Sequence, residues 1–347
     1  MSETLIGLVG EYSPSGSESA AARWLVARMK ALGYEKSFVD EAGNAVGVIG
    51  RGPRQVVLLG HIDTVPGKIP VRVEEGVLHG RGAVDAKGPL ACFTDAAAQC
   101  GVVEGWQIVV VGAVEEEHNS KGAYFVVDKY HPYYAVIGEP NRWDRVALGY
   151  KGTAWVELTF KRGQEHTASG GQTAPEEAVE AWQAIKVFSE KYNADKNRVF
   201  DQIQPSLNAM QSEQGDFEQR ASMRVGVRLP PAFGPEEWLA NLAELAPGAD
   251  LQVLGKPLAA HTCDKNTRLV RAMLAGIRGE GGSPAFVYKT GTADLNIVAP
   301  VWGCPALVYG PGDSELDHTP HEKIDLAEYE QAVRVLSSAL RKLMEEG

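Results

Sequence analysis

The chain has 347 residues, of which 44% are hydrophobic and 23% charged, and its net charge is −11. This length predicts two domains. The acidic net charge argues against binding to nucleic acid or to an anionic membrane. No apolar run approaches the roughly 20 residues that a membrane span requires. Four cysteines without a C-x-x-C pair, and an N-terminus without a basic segment before an apolar block, favour a reduced cytoplasmic protein.

Helices and short apolar strands alternate over the first 149 residues. Ser15-Gly16-Ser17-Glu18 has the form of a capping box and predicts a helix that ends near Gly33. Further along, the pattern predicts strands at 45–49, 56–59, 71–73 and 77–78, a helix from Pro89 to Cys100, and strands at 108–114 and 134–137. This alternation indicates an α/β domain whose ligand site lies at the carboxyl ends of its strands.

The pattern changes near Gly149. Residues 154–161 alternate apolar and polar side chains, as in a one-sided antiparallel strand. The elements predicted after it are a helix at 174–191, a strand at 221–229, a helix at 235–245, a strand at 251–254, a helix from His261 to Ile277, strands at 285–288 and 306–309, and a helix from Leu326. We therefore predict a discontinuous catalytic domain, 1–149 and 261–347, with a smaller α+β lid or dimerisation domain, 150–260, inserted in it.

The stretch Gly60-His61-Ile62-Asp63-Thr64-Val65-Pro66-Gly67 directly follows a buried apolar run. On an extended backbone, side chains two residues apart point the same way, so His61 and Asp63 emerge together. A carboxylate beside a neutral imidazole fixes one ring nitrogen for a metal ion. The alternative is a half-buried histidine with a hydrogen-bonded aspartate.

Four further places carry residues suited to the same metal site. They are Asp85 in the glycine-rich loop 80–88, the run Glu115-Glu116-Glu117, Glu139 in Gly-Glu-Pro, and His318 in Asp-His-Thr-Pro-His-Glu. Each has an ordinary alternative: a helix cap, a solvated face, a turn residue and an exposed histidine, respectively. Their joint occurrence at predicted strand ends of one domain favours a metal site.

These blocks resemble the dinuclear zinc aminoacylases and carboxypeptidases of the ArgE/DapE/carboxypeptidase G2 type, peptidase family M20. The matching blocks occur in the family's order and span nearly the whole chain. They are Gly-His-Ile-Asp-Thr-Val-Pro, Gly-Arg-Gly-Ala-Val-Asp-Ala-Lys-Gly, Glu-Glu-Glu-His-Asn-Ser-Lys-Gly-Ala, Gly-Glu-Pro-Asn and Gly-Pro-Gly-Asp-Ser-Glu-Leu-Asp-His-Thr-Pro-His-Glu. The resemblance implies an α/β, zinc-peptidase-like catalytic domain with a mixed sheet between helices.

The resemblance also implies two divalent metal ions, Zn²⁺ with Co²⁺ or Mn²⁺ as alternatives. His61, Asp85 and Glu139 are expected on one ion. Asp85, Glu117 and His318 are expected on the other, with His321 as the alternative to His318. Asp63 would orient His61, and Glu116 would be the general base that takes the proton of water.

Further residues are implied by the family's lid and substrate clamp. His166 falls where the family carries a histidine that reaches the partner subunit's active site, which implies a homodimer through the lid and an oxyanion-stabilising role. Arg228 aligns with an arginine that holds a substrate carboxylate in the family. An ordinary surface arginine is an equal alternative, and Gly226 stands where the family has an aspartate. The loop Thr290-Gly291-Thr292, with neighbouring Lys289, is expected to clamp substrate or else to be a simple turn.

Within the family, the compact length and the stretch Tyr288–Asn296 most resemble the lysine- or ornithine-releasing hydrolases of lysine and arginine biosynthesis. The implied bond joins lysine to the C-terminal γ-glutamyl group of an acidic amino-group carrier protein. The basic residues that could bind such a carrier are Arg220, Arg224, Arg228 and Lys289. The alternatives are an N-acetyl-lysine or N-acetyl-ornithine deacetylase, a related aminoacylase or dipeptidase, and a non-catalytic metal-binding scaffold. The Glu116-Glu117 pair argues against a scaffold, which has no need of an unligated base.

Overall fold

A computed structural model describes residues 2–166 and 170–345. It divides into two compact units. The first unit comprises the chain up to Gly149, Cys263–Tyr288 and the chain from Ala293 onward; the second comprises Tyr150–Thr262 and Lys289–Thr292. The predicted insert of 150–260 did not include the short Lys289–Thr292 segment. The catalytic and lid roles of the two units stay predictions.

The described residues form nine α-helices and sixteen strands. The helices are α1 Glu3–Gly10, α2 Ser19–Ala31, α3 Lys87–Cys100, α4 Lys121–Val126, α5 Ala174–Asn193, α6 Pro235–Leu245, α7 Arg268–Gly279, α8 Leu295–Trp302 and α9 Leu326–Glu345. The strands are β1 Lys36–Val39, β2 Ala45–Ile49, β3 Arg54–His61, β4 Arg72–Glu74, β5 Val77–His79, β6 Trp106–Ala113, β7 Tyr134–Gly138, β8 Arg145–Tyr150, β9 Gly152–Gly163, β10 Gln204–Gln214, β11 Glu218–Leu229, β12 Asp250–Leu258, β13 His261–Thr262, β14 Ala285–Lys289, β15 Ala306–Tyr309 and β16 Lys323–Asp325.

The first unit is built on a mixed sheet, as predicted. Its strands follow the order β1-β2-β6-β3-β7-β15-β8, and β14 pairs with β8. The central strands β6, β3, β7 and β15 run parallel, whereas β1, β2 and β8 pair antiparallel with their neighbours. The parallel strands are almost continuously apolar and buried, because such strands are covered on both faces.

Helices pack around this sheet to complete the core of the first unit. α3 lies against α9 and α1, and α7 lies against α9. Leu90 and Phe93 of α3 and Leu336 and Leu340 of α9 are nearly or fully buried in one continuous cluster with the strands. This packing holds the start of α3, and with it the glycine-rich loop, against the sheet.

The second unit is a four-stranded antiparallel sheet in the order β10-β11-β9-β12. Alternate residues of β11, including Met223, Val225 and Val227, are buried in a core with side chains of α5 and α6. The residues between them therefore lie on the other, open face of the sheet. Helix α5 begins at a true capping box, in which Thr173 and Glu176 satisfy each other's backbone N–H groups.

Two sequence predictions about helix starts are wrong. α2 begins at Ser19 with Glu18 as its N-cap and without a side-chain cap. The Glu18 carboxylate instead accepts hydrogen bonds from the backbone N–H groups of Gly16 (2.8 Å) and Glu115 (3.2 Å). α7 begins at Arg268 rather than near His261, after Thr267, whose hydroxyl accepts from the Val270 N–H.

Candidate metal centre and active site

Parallel strands deliver the candidate residues to one edge of the sheet in the first unit. In the register of the sheet, His61 at the end of β3 lies opposite Ala113 at the end of β6, and Gly60 lies opposite Gly138 at the end of β7. Chains that leave parallel strands at the same level emerge at the same edge. His61, the Glu115–Glu117 run and Glu139 are thereby brought together.

His61 is held from both sides of its ring. Its Nδ1 lies 3.0 Å from the backbone oxygen of Asp63 and 3.5 Å from the Asp63 carboxylate. Its Nε2 lies 3.2 Å from Oδ1 of Asp85. The histidine is 2% exposed and Asp63 is fully buried. Asp63 thus orients the ring so that Nε2 points toward Asp85, as carboxylates hydrogen-bonded to the far nitrogen do for metal-binding histidines.

Asp63 also organises the loop after β6. Its two carboxylate oxygens accept the backbone N–H groups of Glu116 (3.0 Å) and Glu117 (3.1 Å), and one accepts the Ser15 hydroxyl (2.7 Å). Burial alone would raise the pKa of Asp63, but the His61, Ser15 and Glu116 hydrogen bonds outweigh it and lower that pKa. The carboxylate therefore stays ionised and fixes both glutamates.

Asp85 lies between two histidines. Oδ1 faces Nε2 of His61 at 3.2 Å, and Oδ2 faces Nε2 of His318 at 3.0 Å. Although burial opposes ionisation, these two partners lower the pKa of Asp85. A carboxylate whose two oxygens face different ligand side chains has the geometry of a bridge between two sites.

His318 brings the C-terminal part of the chain to the same point. Its Nε2 lies 2.9 Å from Oε1 of Glu117 as well as 3.0 Å from Asp85. The two carboxylates raise the pKa of His318 to about 10. His318 adopts a left-handed φ of 61°, and it is this ring, rather than His321, that meets Asp85 and Glu117.

Glu116 and Glu139 lie near the cluster but are not among its most closely spaced donors, which are His61, Asp85 and Glu117. Burial raises the pKa of each well above its usual value; the nearby His61 opposes this, and other carboxylates add to it. Glu139 interacts electrostatically with Asp85 and His61. Glu115 points elsewhere, with its carboxylate 3.8 Å from Lys121 and 3.7 Å from His118.

The residues present fit divalent cations. One donor atom each from His61, Asp85 and Glu117 lies within 4.8 Å of the other two. Imidazole nitrogens and carboxylate oxygens are the donors that zinc and similar ions take in hydrolases. Burial first, and neighbouring carboxylates second, raise the pKa values of Glu116 and Glu139, and a bound cation would offset both effects.

Two residues of the site were not assigned from the sequence. Asp294 is 2% exposed at the start of α8, and burial raises its pKa to about 7. Glu322 is 1% exposed and contacts the backbone of the Asp85 loop. Asp294 lies in the Thr290–Asp294 motif and Glu322 in the His-Thr-Pro-His-Glu motif, so both belong to stretches that the sequence singled out. Neither motif shows which residues, far away in sequence, these two acids approach.

The predicted substrate residues lie in the second unit. Nη1 of Arg228 donates to the Thr292 hydroxyl at 2.7 Å, and that hydroxyl donates to the backbone oxygen of Lys151 at 2.9 Å. The backbone of Lys289 joins the same network through the Lys151 N–H, at 3.3 Å. His166 is exposed beyond the end of β9; residues 167–169, which belong to the same block, lie outside the described residues.

Gly226, where the resemblance led us to expect an aspartate, is closely approached by an aromatic ring. A Cβ atom at Gly226 would lie 2.9–3.0 Å from three ring atoms of Trp155 on the adjacent strand β9. Trp155 therefore lies across Gly226, and a side chain at this position would displace the ring. Arg224 and Arg228 lie on either side of this glycine on the same face of the strand.

None of the helices within residues 2–166 and 170–345 has the length and apolarity that crossing a bilayer requires.

Comparisons with known proteins agree with the geometry. Residues 57–342 match the model of Peptidase family M20/M25/M40. A LysW-lysine hydrolase of Deinococcus radiodurans is 44% identical over 341 residues, which is 96% of this chain and 94% of that protein. A putative LysW-lysine/LysW-ornithine hydrolase of Thermococcus kodakarensis is 40% identical and covers 98% of this chain and 91% of its own.

Solved structures with the same fold are more distant in sequence. An M20 family metallo-carboxypeptidase from Sulfolobus solfataricus superposes with a TM-score of 0.79 at 16% identity, covering 99% of this chain and 100% of that one. The aminopeptidase PepT from Bacillus cereus superposes with a TM-score of 0.78 at 17% identity, covering 98% and 96%. At these identities the likeness establishes the fold.

Proposed function

Because the chain belongs to Peptidase family M20/M25/M40, we propose that it is the amidohydrolase that releases lysine or ornithine from the γ-glutamyl end of a LysW-type carrier protein. The observation that carries the enzymatic part is the convergence of His61, Asp85, Glu117 and His318 beside Glu116. The substrate part is supported by relatives that are named for LysW-lysine and LysW-ornithine hydrolysis and that are 38–44% identical over nearly the whole chain.

Two divalent ions, Zn²⁺ in the first instance, fit the proposed site, with Co²⁺ and Mn²⁺ as alternatives. His61, Asp85 and Glu139 would hold one, and Asp85, Glu117 and His318 the other, since Asp85 presents one oxygen to each histidine. When bound, such ions supply Lewis-acid polarisation of the scissile carbonyl and make water more acidic.

Glu116 is the proposed general base. Asp63 fixes its backbone N–H, and burial raises the pKa of its carboxyl well above its ordinary value, which strengthens the carboxylate as a proton acceptor. The Glu116 carboxylate would take a proton from the attacking water and deliver it to the leaving α-nitrogen of lysine. The amide C–N bond breaks, and the water oxygen stays on the γ-carbonyl carbon of the carrier.

An acidic carrier requires a basic surface, and the open face of the second sheet supports one. Arg220 and Arg224 are 45% and 52% exposed on β11, and Lys161 lies opposite Arg220 on β9. Glu213 and Glu157 lie 3.9 Å and 3.7 Å from the two arginines, so three of these five side chains are cationic and two are anionic. We assign this face the recognition of the carrier.

A homodimer through the second unit is part of the proposal. β10 is an eleven-residue edge strand whose side chains are almost all exposed, Met210 among them at 41%. An exposed edge of this length invites pairing with a second chain. In such a dimer His166 of one protomer would reach the site of its partner and stabilise the tetrahedral oxyanion.

The test of function compares two substrates of the purified enzyme. Lysine release from lysine-loaded carrier is expected to exceed that from N-acetyl-lysine by at least about 100-fold in kcat/KM, because the carrier adds binding energy remote from the reacting bond. Equal or faster turnover of N-acetyl-lysine would replace the carrier assignment with a free N-acyl amino acid hydrolase.

A further inference from the structure

Glu322 is a buried acid whose carboxylate has partners on two sides. Oε2 lies 2.9 Å from Nη1 of Arg81. Oε1 accepts the backbone N–H groups of Val84 at 2.8 Å and of Asp85 at 2.9 Å. The side chain has no exposed surface, so it cannot touch a substrate.

The same contact set braces the whole glycine-rich loop before α3. Arg81 donates through Nε to the backbone oxygen of Gly67 at 3.0 Å. The backbone oxygen of Glu322 accepts the Gly80 N–H at 3.3 Å. The loop is therefore tied to Glu322 at Gly80, Arg81, Val84 and Asp85, and through Arg81 to the loop that follows Asp63.

Glu322 also belongs to the segment that carries His318, four residues earlier. His318 and Asp85 meet at 3.0 Å between Nε2 and Oδ2. One buried carboxylate thus joins the backbone of one proposed ligand to the short segment of another, although the two lie more than two hundred residues apart in sequence.

We propose that Glu322 is a positioning residue that sets Asp85 between His61 and His318 and so determines the affinity and geometry of the metal centre. This inference rests on the proposed metal-binding role of Asp85 and His318. A buried ion pair is a poor means of stabilising a fold, because desolvation offsets most of its Coulombic gain. Its partners instead fix the backbone position of one bridging carboxylate.

The variant Glu322→Gln tests this directly. The amide keeps the size and one acceptor oxygen, but it loses the charge that faces Arg81 and places an N–H₂ or a neutral oxygen there. We expect zinc affinity, measured by chelator competition, to fall about 10–100-fold, as for other residues that orient metal ligands. The visible absorption of the Co²⁺-substituted protein should change, and kcat should fall with KM nearly unchanged.

Asp95→Asn is the matched control. Asp95 is also largely buried and hydrogen-bonded, to the Thr4 and Tyr329 hydroxyls, but away from the loop that carries Asp85. The Asp95→Asn variant should have a lower melting temperature than wild type, with unchanged zinc affinity and an unchanged Co²⁺ spectrum. If Glu322→Gln does not fold, Arg81→Gln removes one of the three partners and should weaken zinc binding in the same direction to a smaller extent.

The outcomes separate the two proposals. A wild-type protein that binds no divalent metal contradicts the proposed function itself. A wild-type protein that binds metal, with Glu322→Gln or Arg81→Gln matching its zinc affinity and Co²⁺ spectrum, overturns the positioning role alone. A lowered melting temperature with unchanged metal properties in these variants has the same meaning, since it makes Glu322 merely structural.

Discussion

At the scale of single residues, the acids of the site divide into two groups. Asp63 and Asp85 are surrounded by donors, which lower their pKa values despite burial. Glu116 and Glu139 face burial and neighbouring carboxylates, which raise theirs. Without cations the second group opposes folding at neutral pH, as expected where a site is arranged for chemistry rather than for stability.

Asp294 is another acid of the site whose pKa is raised. It is 2% exposed, its Oδ1 has no hydrogen-bond partner within the described residues, and burial raises its pKa from 3.8 to about 7. Because its pKa is higher in the folded than in the unfolded chain, Asp294 stabilises the folded state through its protonated form, which prevails at low pH. That contribution is present below about pH 4 and is lost as pH rises through about 7.

We therefore expect Asp294→Asn to stabilise the metal-free protein at pH 8 by about 2–4 kcal/mol, since each pKa unit is worth about 1.4 kcal/mol. The gain should be much smaller at pH 5. Urea unfolding at the two pH values measures it, with the exposed Asp128→Asn as the control. A gain that is equal at both pH values, or absent at pH 8, contradicts the assignment.

Only part of the site was predictable at this scale. His61, Asp85, Glu117 and His318 each follow an apolar run or sit in a family motif, so their convergence could be expected from the order of the blocks. Glu322 could not be placed in this way. Its role depends on Arg81 and on backbone N–H groups 237 and 238 residues away, and no local pattern encodes such a pairing.

At the scale of elements, burial decided which strands the sequence revealed. β3, β6, β7 and β15 are continuously apolar because both faces are covered, and all four were predicted. β10 was missed because its side chains are almost entirely exposed, so it shows no apolar periodicity. The capping box predicted at Ser15–Glu18 is wrong for another reason. The Glu18 carboxylate accepts a hydrogen bond from the Glu115 N–H, which follows a strand far away in sequence.

Strand β11 supports a prediction about the carrier. Arg220→Ala with Arg224→Ala removes two exposed cations from the open face. We expect kcat/KM for the lysine-loaded carrier to fall about three- to tenfold, and its salt dependence to weaken, because exposed charges at an interface act mainly on association. Turnover of N-acetyl-lysine should not change, since a small substrate presents no acidic protein surface to these two arginines.

The matched control is Arg162→Ala on the neighbouring strand β9. Arg162 is 52% exposed and pairs with Glu177 of α5, so it lies on the helix-covered side of the same sheet. It should leave carrier turnover unchanged. An equal loss in both proteins would mean that overall charge, rather than this face, governs the encounter.

At the scale of the whole molecule, net charge and assembly set the limits. The chain carries −11, so an acidic partner is repelled at long range and depends on a local basic surface to approach. A site completed by His166 of the partner subunit would also make the dimer, rather than the single chain, the active species.

Subunit mixing tests that arrangement. Glu116→Gln and His166→Ala are each expected to be inactive as homodimers. In a mixed dimer, one site keeps its own Glu116 and receives the intact His166 of the other chain. Random re-pairing of equal amounts should therefore restore roughly a quarter of wild-type activity, because half of the dimers hold one complete site. Failure to regain activity, with mixed dimers verified, would place His166 outside the partner's site.

The rate of lysine release per bound metal ion, compared between Glu116→Gln and wild type, tests whether Glu116 is the base of a metal-dependent hydrolase. Both proteins should hold two divalent ions per chain, and the variant should release lysine from the loaded carrier about 10²–10⁴-fold more slowly, the usual contribution of a general base. A variant that works at the wild-type rate, or that has lost its metal along with its activity, would contradict the division of labour between ligands and base.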